Sequence, residues 1–278
     1  MTVPPSRDAV VVSRDAFGSD EPYDLIESSI GFVNALMARY LRRAELSPDA
    51  LRSYYVDYYL AQVNNGGFSQ FVYNSGWDPQ VVADVRDGLA AMGARGHRAL
   101  FDRGAALVDG LGHEGLQAFF ASEYFGDNAA RDGLDAVSDA FYDLSDREDL
   151  VRLNGTWLRG LPHLVVLSAE EMQAEVERRG AALPDRAARE AEALAGEPRY
   201  AKLIRALCAA TGQALERITA GDPTFAHAGR QTVAWHFLTD RGHFYMADLG
   251  DRALMFDGGS DRLVHEIPAP EEPQERGR

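Results

Sequence analysis

A glycine pair set inside an aromatic-rich helical stretch, Gln62-Val-Asn-Asn-Gly-Gly-Phe-Ser-Gln-Phe-Val-Tyr-Asn-Ser-Gly-Trp-Asp78, constrains this chain more than any other segment. Leu51, Tyr55, Tyr58, Tyr59 and Gln62 approach it at helical spacing, after a Ser47-Pro-Asp start that supplies an N-cap and an early proline. Asn64-Asn-Gly-Gly67 then predicts a helix end, because asparagine and glycine enter the left-handed region at little cost. Phe68, Phe71 and Val72 open a short second helix, which Asn74-Ser-Gly76 stops before Trp77; Asp78-Pro79 starts the next. These residues describe a corner that locks two helices together, with its aromatics in the core. Asn64, Asn65, Gln70 and Asn74 stand beside apolar positions and are expected to satisfy the backbone groups that the corner leaves open.

Helical periodicity continues on both sides. Residues 1–20 show no sustained period and read as a flexible N-terminal arm, whereas Ser19-Asp-Glu-Pro22 opens a helix through Ile26, Ile30, Val33, Met37 and Leu41. After Pro79 the apolar spacing predicts helices over 81–92, 99–107, 116–124, 134–144, 150–158, 168–179, 184–194 and 199–212. Composition changes after Asp222-Pro223. Thr232-Val-Ala-Trp-His-Phe-Leu, His243-Phe-Tyr-Met-Ala, Arg252-Ala-Leu-Met-Phe and Arg262-Leu-Val-His-Glu-Ile read as short strands between glycine-containing turns. The predicted fold class is therefore mainly α, a multi-helix domain over 21–222 followed by a small C-terminal antiparallel β-meander over 223–268, α+β overall. That sheet must bury one face against helices, and Trp235, Phe237, Phe244 and Met246 are the side chains to do it. A Pro- and Glu-rich disordered tail is expected over 269–278.

Composition excludes more than it assigns. Lys and Arg number 28 against 43 Asp and Glu, a formal charge of −15 whose field repels nucleic acid and anionic membranes, so no direct nucleic-acid or membrane partner is expected. No apolar run approaches the roughly 18 residues of a membrane helix. A single cysteine, Cys208, excludes an intrachain disulfide framework, fits a reducing cytoplasm and lies on an apolar helix as a small buried hydrophobe. The histidines, His97, His113, His163, His227, His236, His243 and His265, never take a metalloprotease spacing, so no metal or other cofactor is expected, although His236 and His243 flank a predicted hairpin turn and could approach each other. Gly66-Gly67 lacks the preceding strand of a phosphate-binding loop, and no serine sits in a nucleophile elbow; no catalytic residue is assigned.

The acids are unevenly placed. Glu123, Asp127, Asp132, Asp135, Asp139, Asp143, Asp146, Glu148 and Asp149 fall in one segment against only Arg131 and Arg147. Asp132, Asp135, Asp139, Asp143 and Asp146 step by three or four, which predicts one helix face with carboxylates about 5–6 Å apart. DNA phosphates repeat at a comparable interval, so such a ridge offers a duplex-like charge pattern to a basic protein; a plainly solvated helix face is the alternative.

The motif Val63-Asn-Asn-Gly-Gly-Phe-Ser-Gln-Phe-Val-Tyr-Asn-Ser, with Tyr58-Tyr59-Leu60 before it and Leu89-Ala-Ala-Met-Gly-Ala94 after it, resembles the bacterial DNA-mimic-protein domain family. The resemblance covers roughly 20–142 and rests on Asn64, Asn65, Gly66, Gly67, Phe68, Gln70, Phe71 and Asn74, with Trp77 closing the stretch. It implies an all-helical domain whose acidic surface occupies the DNA site of a basic DNA-binding protein, such as a transcription regulator or nucleoid protein. Under that reading the Glu123-to-Asp149 ridge, extended by Asp84, Asp87, Asp102 and Asp109, is the partner surface and the corner is structural. A homodimer is left open. The C-terminal strands depart from an all-helical pattern, and two alternatives follow: an adaptor or immunity-type module that binds through the sheet, and a hydrolase or small-molecule site lined by Asn64, Gln70, Tyr73 and Trp77.

Overall fold

In the computed structural model, which describes residues 5–122 and 128–269, the chain divides into two units, Met1–Arg186 and Ala187–Arg278. The first begins earlier than its periodicity suggests. Strand β1 (Val10–Ser13) and helix α1 (Arg14–Gly18) occupy what the sequence presents as a flexible arm, and Val10, Val11 and Val12 are buried. β1 pairs in parallel with β2 (Leu164–Leu167), Val10 against Leu164 and Ser13 against Leu167. Two runs of four residues with no alternation are too short to register as a period, and only their pairing across the chain makes them strands.

Helix α2 (Pro22–Ala38) turns Leu25, Ile26, Phe32, Val33 and Leu36 inward, and Pro22 occupies its first turn. Helix α3 (Pro48–Ser75) starts on the Ser47 cap and runs through the glycine pair. There the backbone leaves the helical region at Gly66 and Gly67 and returns at Phe68, so the predicted corner is a break inside one long element. Helices α4 (Pro79–Ala91), α5 (Arg95–Ala121, broken at Gly112), α6 (Ala129–Asp132), α7 (Asp135–Ser145), α8 (Leu150–Arg159) and α9 (Ala169–Ala181) complete the helical part.

Aromatic side chains of the corner form the core they predict. The buried Tyr59 ring meets Phe68, Phe71, Phe101 and Phe141 edge-on at centroid distances of 6.2, 5.2, 5.2 and 5.5 Å, the arrangement that aromatic quadrupoles favour. A second cluster gathers β1, α2, the start of α3 and Leu158 of α8.

The second unit holds helix α10 (Arg186–Gly196) from its second residue on, helix α11 (Arg199–Thr211) and the strands β3 (Leu215–Asp222), β4 (Ala226–His227), β5 (Arg230–Gln231), β6 (Ala234–Thr239), β7 (Gly242–Asp248), β8 (Arg252–Asp257) and β9 (Leu263–Pro268). The main sheet is antiparallel in the order β3-β6-β7-β8-β9, and β4 and β5 form a separate hairpin. Phe237, Phe244 and Met246 face Leu203, Ile204, Leu207 and Cys208 of α11, and Trp235 stacks on Tyr200 at 3.7 Å. The α+β class and this packing face follow the sequence. Strand β3 does not, because it already runs over 215–222. It is an edge strand with two register shifts, and only Leu215, Ile218 and Asp222 are partly shielded, so no alternation marks it. The expected tail beyond Ala269 lies outside the described residues.

Candidate partner-binding surface

Breaking α3 at Gly66 and Gly67 frees backbone groups that must be satisfied inside a buried layer. Gly67 adopts φ +80°, ψ 178°, a region open essentially to glycine, and a Cβ there would stand 2.7 Å from Ser138 Oγ. Both sides of the break are tied to α7. The Phe68 N–H donates to Ser138 Oγ at 2.9 Å, and the Tyr142 hydroxyl donates to the Val63 carbonyl at 2.7 Å. Of Asn64, Asn65, Gln70 and Asn74, all expected to serve the open backbone, Gln70 has its Oε1 packed against Gly66 at the break. Asn64 and Asn65 face solvent, while Gln70 and Asn74 both donate to Gln62 Oε1, at 3.0 and 2.6 Å. These amides span the break side chain to side chain.

Helix α7 is thus held from its inner face and presents its outer one. Val137, Ser138 and Phe141 are buried, and the Phe141 ring lies 4.8 Å from the buried His97 ring. One helical turn apart from each other, Asp135, Asp139 and Asp143 are exposed. The five-aspartate row on a single helix is corrected to three. Asp132 ends α6, Asp146 is the C-cap of α7, and Gly133-Leu134 intervenes in a tight turn, with the Leu134 N–H on the Arg131 carbonyl at 2.9 Å. Burial of Leu134 fixes that turn in the core.

The remaining acids divide by what they touch. Asp132 accepts from Arg131 at 2.7 and 2.9 Å. Glu148 uses both oxygens on the backbone N–H groups of Gly96 and His97, each at 3.0 Å, and so caps the start of α5, where a negative charge is favoured. Asp149 caps α8 through the Arg152 N–H at 3.1 Å. Asp84 pairs with Arg43, and its carboxyl is pushed up by burial although Arg43 and Arg52 oppose this. Burial works the same way on Asp102, but hydrogen bonds from Arg98 and Arg86, each at 2.8 Å, hold its carboxyl below the usual range. Asp87 and Asp109 are exposed. Glu123 and Asp127 lie outside the described residues.

Asp135, Asp139, Asp143 and Asp146 make no ion pair among the described residues. Two guanidinium groups reach this helix, but through backbone carbonyls: Arg103 on Ala136 at 3.5 Å and Arg147 on Asp143 at 3.4 Å. The four carboxylates are therefore solvated charges on a helix that the corner positions. Sequence spacing found Asp135, Asp139 and Asp143; it missed Ser138 and Tyr142, whose signal was a serine and a tyrosine one turn apart beside the apolar stripe of an acidic helix.

The residues set out for a small-molecule site do not converge. The Trp77 ring packs in the core 6.2 Å from Phe68 and Phe71, Tyr73 turns to Phe119 and Phe120, and Asn64 faces water. Among the described residues no three His, Cys, Asp or Glu side chains gather as metal ligands, and no helix is long and apolar enough to cross a membrane.

Searches of curated proteins and of solved structures return no match to this chain. Residues 44–161 match the family model of DMP19-like proteins, from just before α3 to just after α8, so the match includes the corner and α7 and leaves out β1, α1, α2 and the second unit. Residues 44–161 are thus similar to DMP19-like proteins, in keeping with the DNA-mimic-protein resemblance of the Asn-Asn-Gly-Gly-Phe motif.

Proposed function

We propose that this chain is a non-enzymatic acidic protein that binds a basic DNA-binding protein and covers its DNA site, using Asp135, Asp139, Asp143 and Asp146 as the central charges. The observation that carries the reading is the set of four solvated carboxylates on and beside α7, within a segment, similar to DMP19-like proteins, whose corner holds that helix by one buried and one partly exposed hydrogen bond. Asp87 and Asp109 extend the negative field, whereas Asp84, Asp102, Asp132 and Glu148 are already committed within the protein.

The test is capture of partners from lysate of the source cell on the immobilised chain at low and high salt. Basic DNA-binding proteins should be retained at low salt and released as salt rises, and duplex DNA should compete with the chain for them. A variant with Asp135, Asp139, Asp143 and Asp146 all changed to Asn should lose them; equal capture by that variant refutes the reading. The second reading, a module that binds through its C-terminal sheet, has one observation in its favour: Leu263 and Val264 of edge strand β9 are 48% and 36% exposed. Leu263→Asp with Val264→Asp separates the two, because only sheet-mediated binding should suffer.

A further inference from the structure

We propose that His236 and His243 form a two-histidine surface site for a divalent cation of the borderline class, Cu2+, Ni2+ or Zn2+. The proposal concerns the second unit alone and stands independently of the acidic surface. The two residues sit diagonally across the β6-β7 hairpin, since His236 pairs with Tyr245 and His243 with Leu238. Their neighbours Phe237 and Phe244 face α11, so strand alternation puts both imidazoles on the opposite face of the sheet. There His236 Nδ1 and His243 Nε2 are 3.0 Å apart, with ring planes inclined by 17°.

That separation suits a shared metal. With metal–nitrogen bonds of about 2.0–2.1 Å, two cis imidazole nitrogens lie about 2.9 Å apart at a right angle and about 3.4 Å apart at a tetrahedral one. The rings are also placed by their surroundings. A Cβ on Gly258 would stand 2.1 Å from His243 Nδ1, so only glycine leaves the His243 ring its position, and the Tyr245 ring lies 5.4 Å from His236. Asp222 adds a carboxylate on the adjacent strand, opposite Ala234 and on the same face, with Oδ1 already held by Thr224. Without metal one ring donates its N–H to the other. Binding moves that proton to the donor's second nitrogen and pivots the rings until both lone pairs meet at the cation, while water fills the remaining positions.

Titration calorimetry of the tag-free full chain with CuCl2, NiCl2 and ZnCl2 in a non-coordinating buffer tests this. One equivalent should bind saturably, Cu2+ most tightly. His236→Ala and His243→Ala should each weaken binding by about tenfold or more, with His236→Gln and His243→Gln as second variants if an alanine form does not fold. Gly258→Ala should also weaken it although both histidines remain, and His265→Ala, on β9, should leave it unchanged. Absence of saturable binding, or binding that survives removal of either imidazole, overturns the proposal.

Discussion

At the scale of single residues, the serine and the tyrosine that join α7 to the corner are the most exposed to test. Ser138→Ala leaves the buried Phe68 N–H without an acceptor and should cost about 1–3 kcal/mol, whereas Tyr142→Phe removes a partly exposed donor from the Val63 carbonyl and should cost about 1 kcal/mol. Gly67→Ala should cost more than either, since it imposes a disfavoured backbone conformation and a clash with Ser138. Urea unfolding midpoints at constant slope would rank the three. Asp57 gives a different prediction. It is half-buried on α3, makes no ion pair among the described residues, and burial pushes its carboxyl from 3.8 up to about 6. A raised folded-state value means that its contribution to stability is full below about pH 4 and is lost as pH rises through about 6. Asp57→Asn should therefore melt higher than the parent protein at pH 8, with the advantage vanishing as the pH is lowered through that window.

The element that matters most is α7, which serves two masters on its two faces. Its inner face fills the core with Val137 and Phe141, and its outer face stacks like charges one turn apart at a cost of a few tenths of a kcal/mol per pair. Replacing Asp135, Asp139, Asp143 and Asp146 by Asn should therefore leave the helical circular dichroism intact and the melting temperature equal or higher. Loss of partner binding without loss of stability is the signature of a surface kept for recognition. Helix α9 shows the contrary case. Glu175 is buried between Arg178 and Arg179, with contacts of 2.6 and 2.7 Å, and Arg179 also donates to the Ser6 carbonyl at 3.0 Å. Glu175→Gln leaves the buried Arg179 uncompensated and should cost about 3–5 kcal/mol in denaturant unfolding.

Taken whole, the molecule consists of two units with separate hydrophobic cores, and the matched segment 44–161 falls entirely within the first. The acidic reading places partner recognition in Met1–Arg186. A chain ending at Arg186 should then keep the partners and the salt dependence of the full protein in the capture experiment, and their loss would transfer recognition to the sheet unit.

The long helices, their caps and the aromatic core were legible in the sequence because each is a local pattern repeated over several turns. The same locality made the Asn-Asn-Gly-Gly-Phe corner recognisable and put three aspartates on one helix face. Tertiary structure alone decided the rest. Four valines and leucines at 164–167 become a strand only by meeting Val10–Ser13, far away in the chain. Asp84 and Asp102 lose their solvated charge to Arg43 and Arg86, and Glu148 gives its carboxylate to the start of α5, all across long sequence separations. Spacing counts carboxylates, but a charge is available to a partner only if the fold brings it no cation and no open backbone group of its own.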